Sequence, residues 1–155
     1  MPREDNWLKE VGTPDEWMKR AQSNLVRARQ PKPEEVFFED LVFDIQQSVE
    51  KALKALLLKK GIRFRFVHDI AELLTLLEQN EVALPDEIRA AADLTDYAVQ
   101  ARYPGPFEPV SENEYTSALE IADAVLSWVT PQLQTDELTE EQDIPSHIKD
   151  LDDRS

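Results

Sequence analysis

His68 and a run of six cations just before it are the side chains in this chain best suited to chemistry. Lys51, Lys54, Lys59, Lys60, Arg63 and Arg65 lie between Lys51 and His68, with no Asp or Glu among them. The chain as a whole is acidic, with a formal net charge of −15. An imidazole exchanges protons near neutral pH, which suits general acid–base work. Guanidinium groups grip phosphate in two-pronged fashion, and an exposed phenylalanine can stack on a base. Arg63 and Arg65 alternate with Phe64 and Phe66, so an extended link would send the two pairs of side chains opposite ways. Phosphate contact through Lys51, Lys54, Arg63 and Arg65, with His68 beside them, is therefore one expectation. The alternatives are structural. Lys59 and Lys60 suit the negative end of a helix, Phe64 and Phe66 can plug the end of a bundle, and the cations can balance acidic neighbours. His68 can equally help to cap or pack a helix start, and Asp69 has the chemistry of an N-cap.

The elements that must hold these residues are helices. Thr13-Pro14-Asp15-Glu16 is a capping box with proline at the first helical position. Trp17, Ala21, Leu25 and Ala28 follow at helical spacing. Pro31 and Pro33 then stop the helix. The pattern predicts a second helix from about Pro33 to Lys60, ended by Gly61. Its apolar positions (Phe37, Leu41, Ile45, Val49, Ala52, Leu56, flanked by Phe38, Val42, Leu53, Leu57) span a face wide enough for a central rod. Asp69 opens a third helix through Leu73 and Leu77 to about Asn80. Pro85 starts a fourth that runs to Tyr103-Pro104. Ser111 and Glu114 form a second capping box for a fifth, which Pro131 is expected to end. Residues 131–155 hold eight Asp/Glu against Lys149 and Arg154, the composition of a flexible acidic tail.

Composition narrows the function. There is no cysteine, so disulfides and thiolate chemistry are excluded. Two histidines are too few for a His-rich metal site. Three glycines disfavour phosphate-binding glycine loops and doubly wound sheets. No apolar run reaches the ~20 residues of a membrane span, and the N-terminus lacks a signal-peptide core. A cytoplasmic protein with neither cofactor nor metal is expected. The acidic surface repels nucleic acid overall, which confines any phosphate site to a local patch.

Several of these segments together resemble the HEPN family. They are Trp17 with Ala21 and Leu25, the run Gln46 to Leu57 (QQSVEKALKALL), His68-Asp69 with Leu73-Leu74, Ala101-Arg102-Tyr103-Pro104, and a last helix with Ala118, Ala122 and Val125. The resemblance implies an all-α, up-and-down bundle of four to five helices over 13–130. Residues 1–12 lead into it and the acidic tail 131–155 follows. It also implies a homodimer, a minimal nucleotidyltransferase as partner in a toxin–antitoxin-like pair, and binding of nucleotide or RNA. Many members are regarded as metal-independent RNases whose signature is Arg, four to six residues, then His. Here Arg102 stands in the arginine region, but no His follows within six residues. Arg63 and His68 have the right gap in the wrong segment. The resemblance thus leaves open whether the chain is an enzyme: an active metal-independent RNase toxin is one alternative to nucleotide or RNA binding, and a non-catalytic dimeric interaction module is another. Its candidate catalytic residues are His68, Arg63 and Arg102, with Arg102 also a candidate phosphate contact.

Overall fold

The computed structural model describes Trp7, residues 11–94 and residues 109–134 of the 155-residue chain. Five α-helices lie in this region: α1 (Pro14–Ala28), α2 (Phe38–Lys59), α3 (Ile70–Gln79), the single turn α4 (Asp86–Arg89) and α5 (Glu112–Gln134). A 3-10 turn over Ala90–Asp93 continues α4. There is no strand among the described residues. The all-α bundle expected from the sequence is what forms.

The helix starts follow the predicted chemistry. Thr13 Oγ1 accepts from the Glu16 amide at 3.1 Å, and Glu16 Oε1 accepts from the Thr13 amide at 2.9 Å. Ser111 and Glu114 make the same reciprocal pair at 3.1 and 2.9 Å. Asp69 Oδ1 accepts from the Glu72 amide at 3.2 Å, so Asp69 is the N-cap of α3. Each pair satisfies amides that a helix start leaves without an internal partner.

Three boundaries differ from expectation. α2 begins at Phe38 rather than Pro33, because residues 33–36 close a turn (Val36 N–H to Pro33 C=O, 3.1 Å) and Phe37 is extended. α5 does not end at Pro131 but runs through it to Gln134. Side chains engage carbonyls of this last stretch: Thr130 Oγ1 donates to Leu126 C=O at 2.7 Å and Gln132 Nε2 to Trp128 C=O at 2.9 Å. Buried Val129 and half-buried Leu133 also keep this end against the core. A long fourth helix is predicted, but its described part is one α turn and a 3-10 turn up to Asp93. The remainder of that expectation, Arg102 included, lies outside the described residues, as does the tail beyond Gln134.

α2 is the central rod. It packs most extensively on α1 and α5, and Ile45, Val49, Ala52, Leu53, Leu56 and Leu57 are fully buried. The start of α1 and the ends of α2 and α5 meet at one groove, which Thr13, Pro14, Lys59, Thr130 and Gln134 line. At the opposite end Tyr115 Oη donates to Ala28 C=O at 2.7 Å. α1 therefore runs antiparallel to both α2 and α5, in up-and-down fashion.

α2 and α3 end alike. Gly61, with φ +73°, sits just past α2; its amide bonds Leu58 C=O (3.0 Å) and the Ile62 amide bonds Leu57 C=O (2.8 Å). Glu81 repeats this after α3, with Glu81 N–H on Glu78 C=O and Val82 N–H on Leu77 C=O, both 3.0 Å. Its φ of +68° is in the left-handed region, where a Cβ is costly and glycine is at ease. Glu81→Gly is therefore expected to raise unfolding stability by roughly 0.5–1 kcal/mol. Urea denaturation checks this, since a lower midpoint would contradict it.

Candidate functional site

The site is built where the C-terminal half of α2 faces the link 62–69. Gln46, Glu50 and Lys54 follow at i, i+4 and i+8, so a polar stripe runs down an otherwise apolar rod. All three are buried, with Glu50 2% and Lys54 4% exposed. Glu50 is the hub. Its Oε1 accepts from Gln46 Nε2 at 3.0 Å and its Oε2 from Lys54 Nζ at 2.7 Å. His68 Nδ1 lies 3.1 Å from both carboxylate oxygens. An ionised carboxylate only accepts, so the Nδ1 facing Glu50 carries a hydrogen, and in the neutral form of the ring Nε2 is then the acceptor. The imidazole itself stands mostly in solvent, 59% exposed.

Aromatic rings close over Lys54. Its Nζ lies 5.4 Å from the ring centre of Trp17, 5.7 Å from Phe64 and 6.0 Å from Phe66. Ring faces attract a cation, and the attraction grows once water is excluded. Phe64 is buried and meets Trp7 and Trp17 edge-on. Phe66 touches Phe64 edge-on at 5.7 Å yet is 62% exposed. Of the two phenylalanines, then, Phe64 plugs the bundle and Phe66 is left facing out.

The six cations do not form one patch. Lys54, expected among the phosphate contacts, is instead buried and paired with Glu50. Arg65 is exposed but binds Glu72 through two nitrogens, Nε to Oε2 at 2.9 Å and Nη2 to Oε1. That pairing raises the Arg65 pKa and holds the Glu72 carboxyl below its usual range. Lys51 points to α1 rather than to the link: its Nζ donates to Asn24 Oδ1 at 2.8 Å. Burial lowers the Lys51 pKa, with Glu50 and Asp44 opposing and Arg20 and Arg27 adding to the effect. Arg63 remains exposed, its guanidinium 5.4 Å from the ring centre of Trp7. Lys59 is half-buried beside the start of α1, and Lys60 is exposed. The structure thus leaves Arg63, Phe66 and His68 exposed along the link, while Lys51 turns to α1 and Lys54 lies buried beneath the aromatic rings.

Two features escape the sequence reading. Glu50 looks there like one more carboxylate, although its spacing from Gln46 and Lys54 inside an apolar run marks it. The second is a seam between α1 and α2. Asp44, 8% exposed, accepts from Arg27 Nε (3.0 Å), Arg27 Nη2 (2.6 Å) and Asn24 Nδ2 (3.2 Å). The hydrogen bonds and charge of Asp44 raise the Arg27 pKa. No sequence spacing joins residues so far apart in the chain.

No group of three or more His, Asp or Glu is placed to hold a metal among the described residues. No helix there is long and apolar enough to cross a membrane.

Comparison with known proteins agrees with this architecture. The HEPN domain matches residues 14–135, most of the chain. This chain belongs to the HEPN family. A crystal structure described as an archaeal HEPN homologue is 30% identical, covering 79% of this chain and 99% of its own, with a TM-score of 0.64. A crystal structure of a protein from Thermus thermophilus is 29% identical, covering 77% and 97%, with a TM-score of 0.65. No curated protein sequence matches. The HEPN match begins at the first residue of α1 and ends one residue past α5, so it takes in both the polar stripe of α2 and the link.

Proposed function

We propose that this HEPN protein binds single-stranded RNA or nucleotide along the outer edge of its 62–69 link. It does so as one half of a homodimer, with a minimal nucleotidyltransferase as partner in a toxin–antitoxin-like pair. The dimer, the partner and the pairing rest on the family resemblance. The binding edge rests on one observation: Phe66 is 62% exposed while anchored on the Lys54–Glu50 pair that also orients His68. A large ring held outward by a buried charge pair is preorganised to stack on a base. Arg63 supplies an exposed guanidinium on the same link, and His68 supplies an oriented imidazole. Arg102 is retained as a candidate phosphate contact on the resemblance alone.

Fluorescence anisotropy with a short labelled oligoribonucleotide tests this. Arg63→Glu is expected to weaken binding about tenfold at low salt and to flatten the salt dependence, because each lost phosphate contact removes ~0.7 from the log–log slope. An unchanged affinity and slope would deny the link its role.

A second reading is favoured by the Glu50–His68 contact. A buried carboxylate that fixes the Nδ1 tautomer leaves Nε2 poised to take a proton, the arrangement a general base needs. Under that reading the chain cleaves RNA, and His68→Ala lowers the rate ~10²–10⁴-fold. The first reading expects no cleavage above background from either protein. Cleavage that disappears with His68 would replace it.

A further inference from the structure

A cleft of about 480 Å³ opens between residues 63–65 of the link and one face of α3. Glu72, Thr75, Leu76 and Gln79 line it from the helix, at i, i+3, i+4 and i+7. Arg63, Phe64 and Arg65 line it from the link. We propose that this cleft binds one nucleoside 5′-monophosphate, with an adenine base on the Phe64–Leu76 wall, its edge read by the Gln79 amide, and its phosphate held by Arg63. The proposal rests on the reading above in taking a nucleotide as the ligand, and adds to it a neighbouring subsite that shares Arg63.

Five observations carry it. The volume lies in the ~300–1,000 Å³ range of small-molecule pockets, which are mostly apolar with a few placed polar groups. Phe64 and Leu76 give an apolar wall, and Thr75 and Gln79 are exposed beside it. At the end of α3 the side chain that bonds the Leu76 carbonyl is that of Asn80, at 2.8 Å, while Gln79 stands exposed at the cleft. A carboxamide offers a donor and an acceptor side by side, the match for adenine N7 and N6. Arg63 meets Trp7 with its guanidinium while its N–H groups lie in the plane of the fork, so the stacking leaves its donors for phosphate. The one carboxylate in the lining, Glu72, has its charge answered by Arg65, so it does not repel an incoming anion as a free carboxylate would.

Isothermal titration calorimetry of the full chain with AMP, and separately with ribose 5-phosphate, tests this. AMP is expected to bind about tenfold or more tighter than ribose 5-phosphate, the base contacts supplying the difference. Thr75→Trp, which fills the cleft from an exposed position, and Gln79→Ala, which removes the amide, are each expected to weaken AMP binding about tenfold. Circular dichroism confirms that both variants fold. No AMP binding, or AMP binding unchanged in Thr75→Trp and Gln79→Ala, overturns the cleft. If Phe66→Ala still weakens oligoribonucleotide binding in that case, the link reading survives and the cleft alone has failed. If the cleft variants lose AMP while Phe66→Ala leaves oligoribonucleotide binding intact, the link reading has failed and the cleft stands.

Discussion

Replacing Glu50 with alanine is expected to destabilise the protein by roughly 3–5 kcal/mol, the cost of leaving a buried charge without its partner. Lys54 Nζ has Glu50 Oε2 at 2.7 Å and aromatic rings beyond it, and the residue is 4% exposed. Without the carboxylate an ammonium is left in a nearly dry pocket. Ring faces attract it, but by ~2 kcal/mol at most in such sites, too little to replace a charged partner. Gln46 and His68 lose their acceptor at the same time. Guanidinium denaturation measures the loss, and a cost under ~1 kcal/mol would show that Lys54 reaches water in solution. The double variant Glu50→Leu with Lys54→Met separates charge from packing. Both sites become apolar at similar volume, so most of the lost stability is expected to return, as is common when a buried pair is replaced whole. A double variant no more stable than Glu50→Ala would assign the effect to packing around the hub instead.

That pair also explains what could and could not be seen in the sequence. The helices were legible because their signals are local: two capping boxes, Asp69 before Ile70, Gly61 after Lys60, and apolar residues at helical spacing. The end of α5 was not, because proline removes one amide but does not dictate what Leu133 and Gln132 gain by staying against the bundle. The start of α2 failed for the converse reason. Pro33 marked a possible first turn, yet the backbone closed a tight turn there and left Phe37 extended. For the site, a count of like charges along the chain said little about where each would point. Lys51 and Lys54 are three apart, yet one turns to Asn24 on α1 and the other to Glu50 beneath the link. The decisive partners of Arg65 and Lys51 are set by tertiary packing. Glu50 was the exception, since Gln46, Glu50 and Lys54 mark one helix face by spacing alone, and a polar stripe in an apolar rod is where buried pairing is to be sought.

Truncating Phe66 to alanine is expected to weaken oligoribonucleotide binding about tenfold while leaving the fold intact. Stacking of one base on an aromatic ring contributes ~1–3 kcal/mol, or roughly five- to more than a hundredfold in affinity, and the lower part of that range suits a single ring. The fold is spared because Phe66 is 62% exposed, so little buried surface is lost and the cost should stay near the ~0.5–1.5 kcal/mol of its edge-on contact with Phe64. Its neighbour gives the contrast. Phe64 is 6% exposed and packs against Trp7 and Trp17, so Phe64→Ala should cost stability first, roughly 3–5 kcal/mol. Phe66→Trp keeps a stacking face and is expected to preserve affinity, whereas Phe66→Leu keeps bulk without a π face and should bind like alanine. Anisotropy titrations at fixed salt, paired with thermal melts, read both quantities. Equal affinity across wild type, Phe66→Ala and Phe66→Leu would mean that the ring faces outward for some purpose other than a base. The exposed Arg63 and the His68–Glu50 contact would then be what is left of the link's case for nucleic acid.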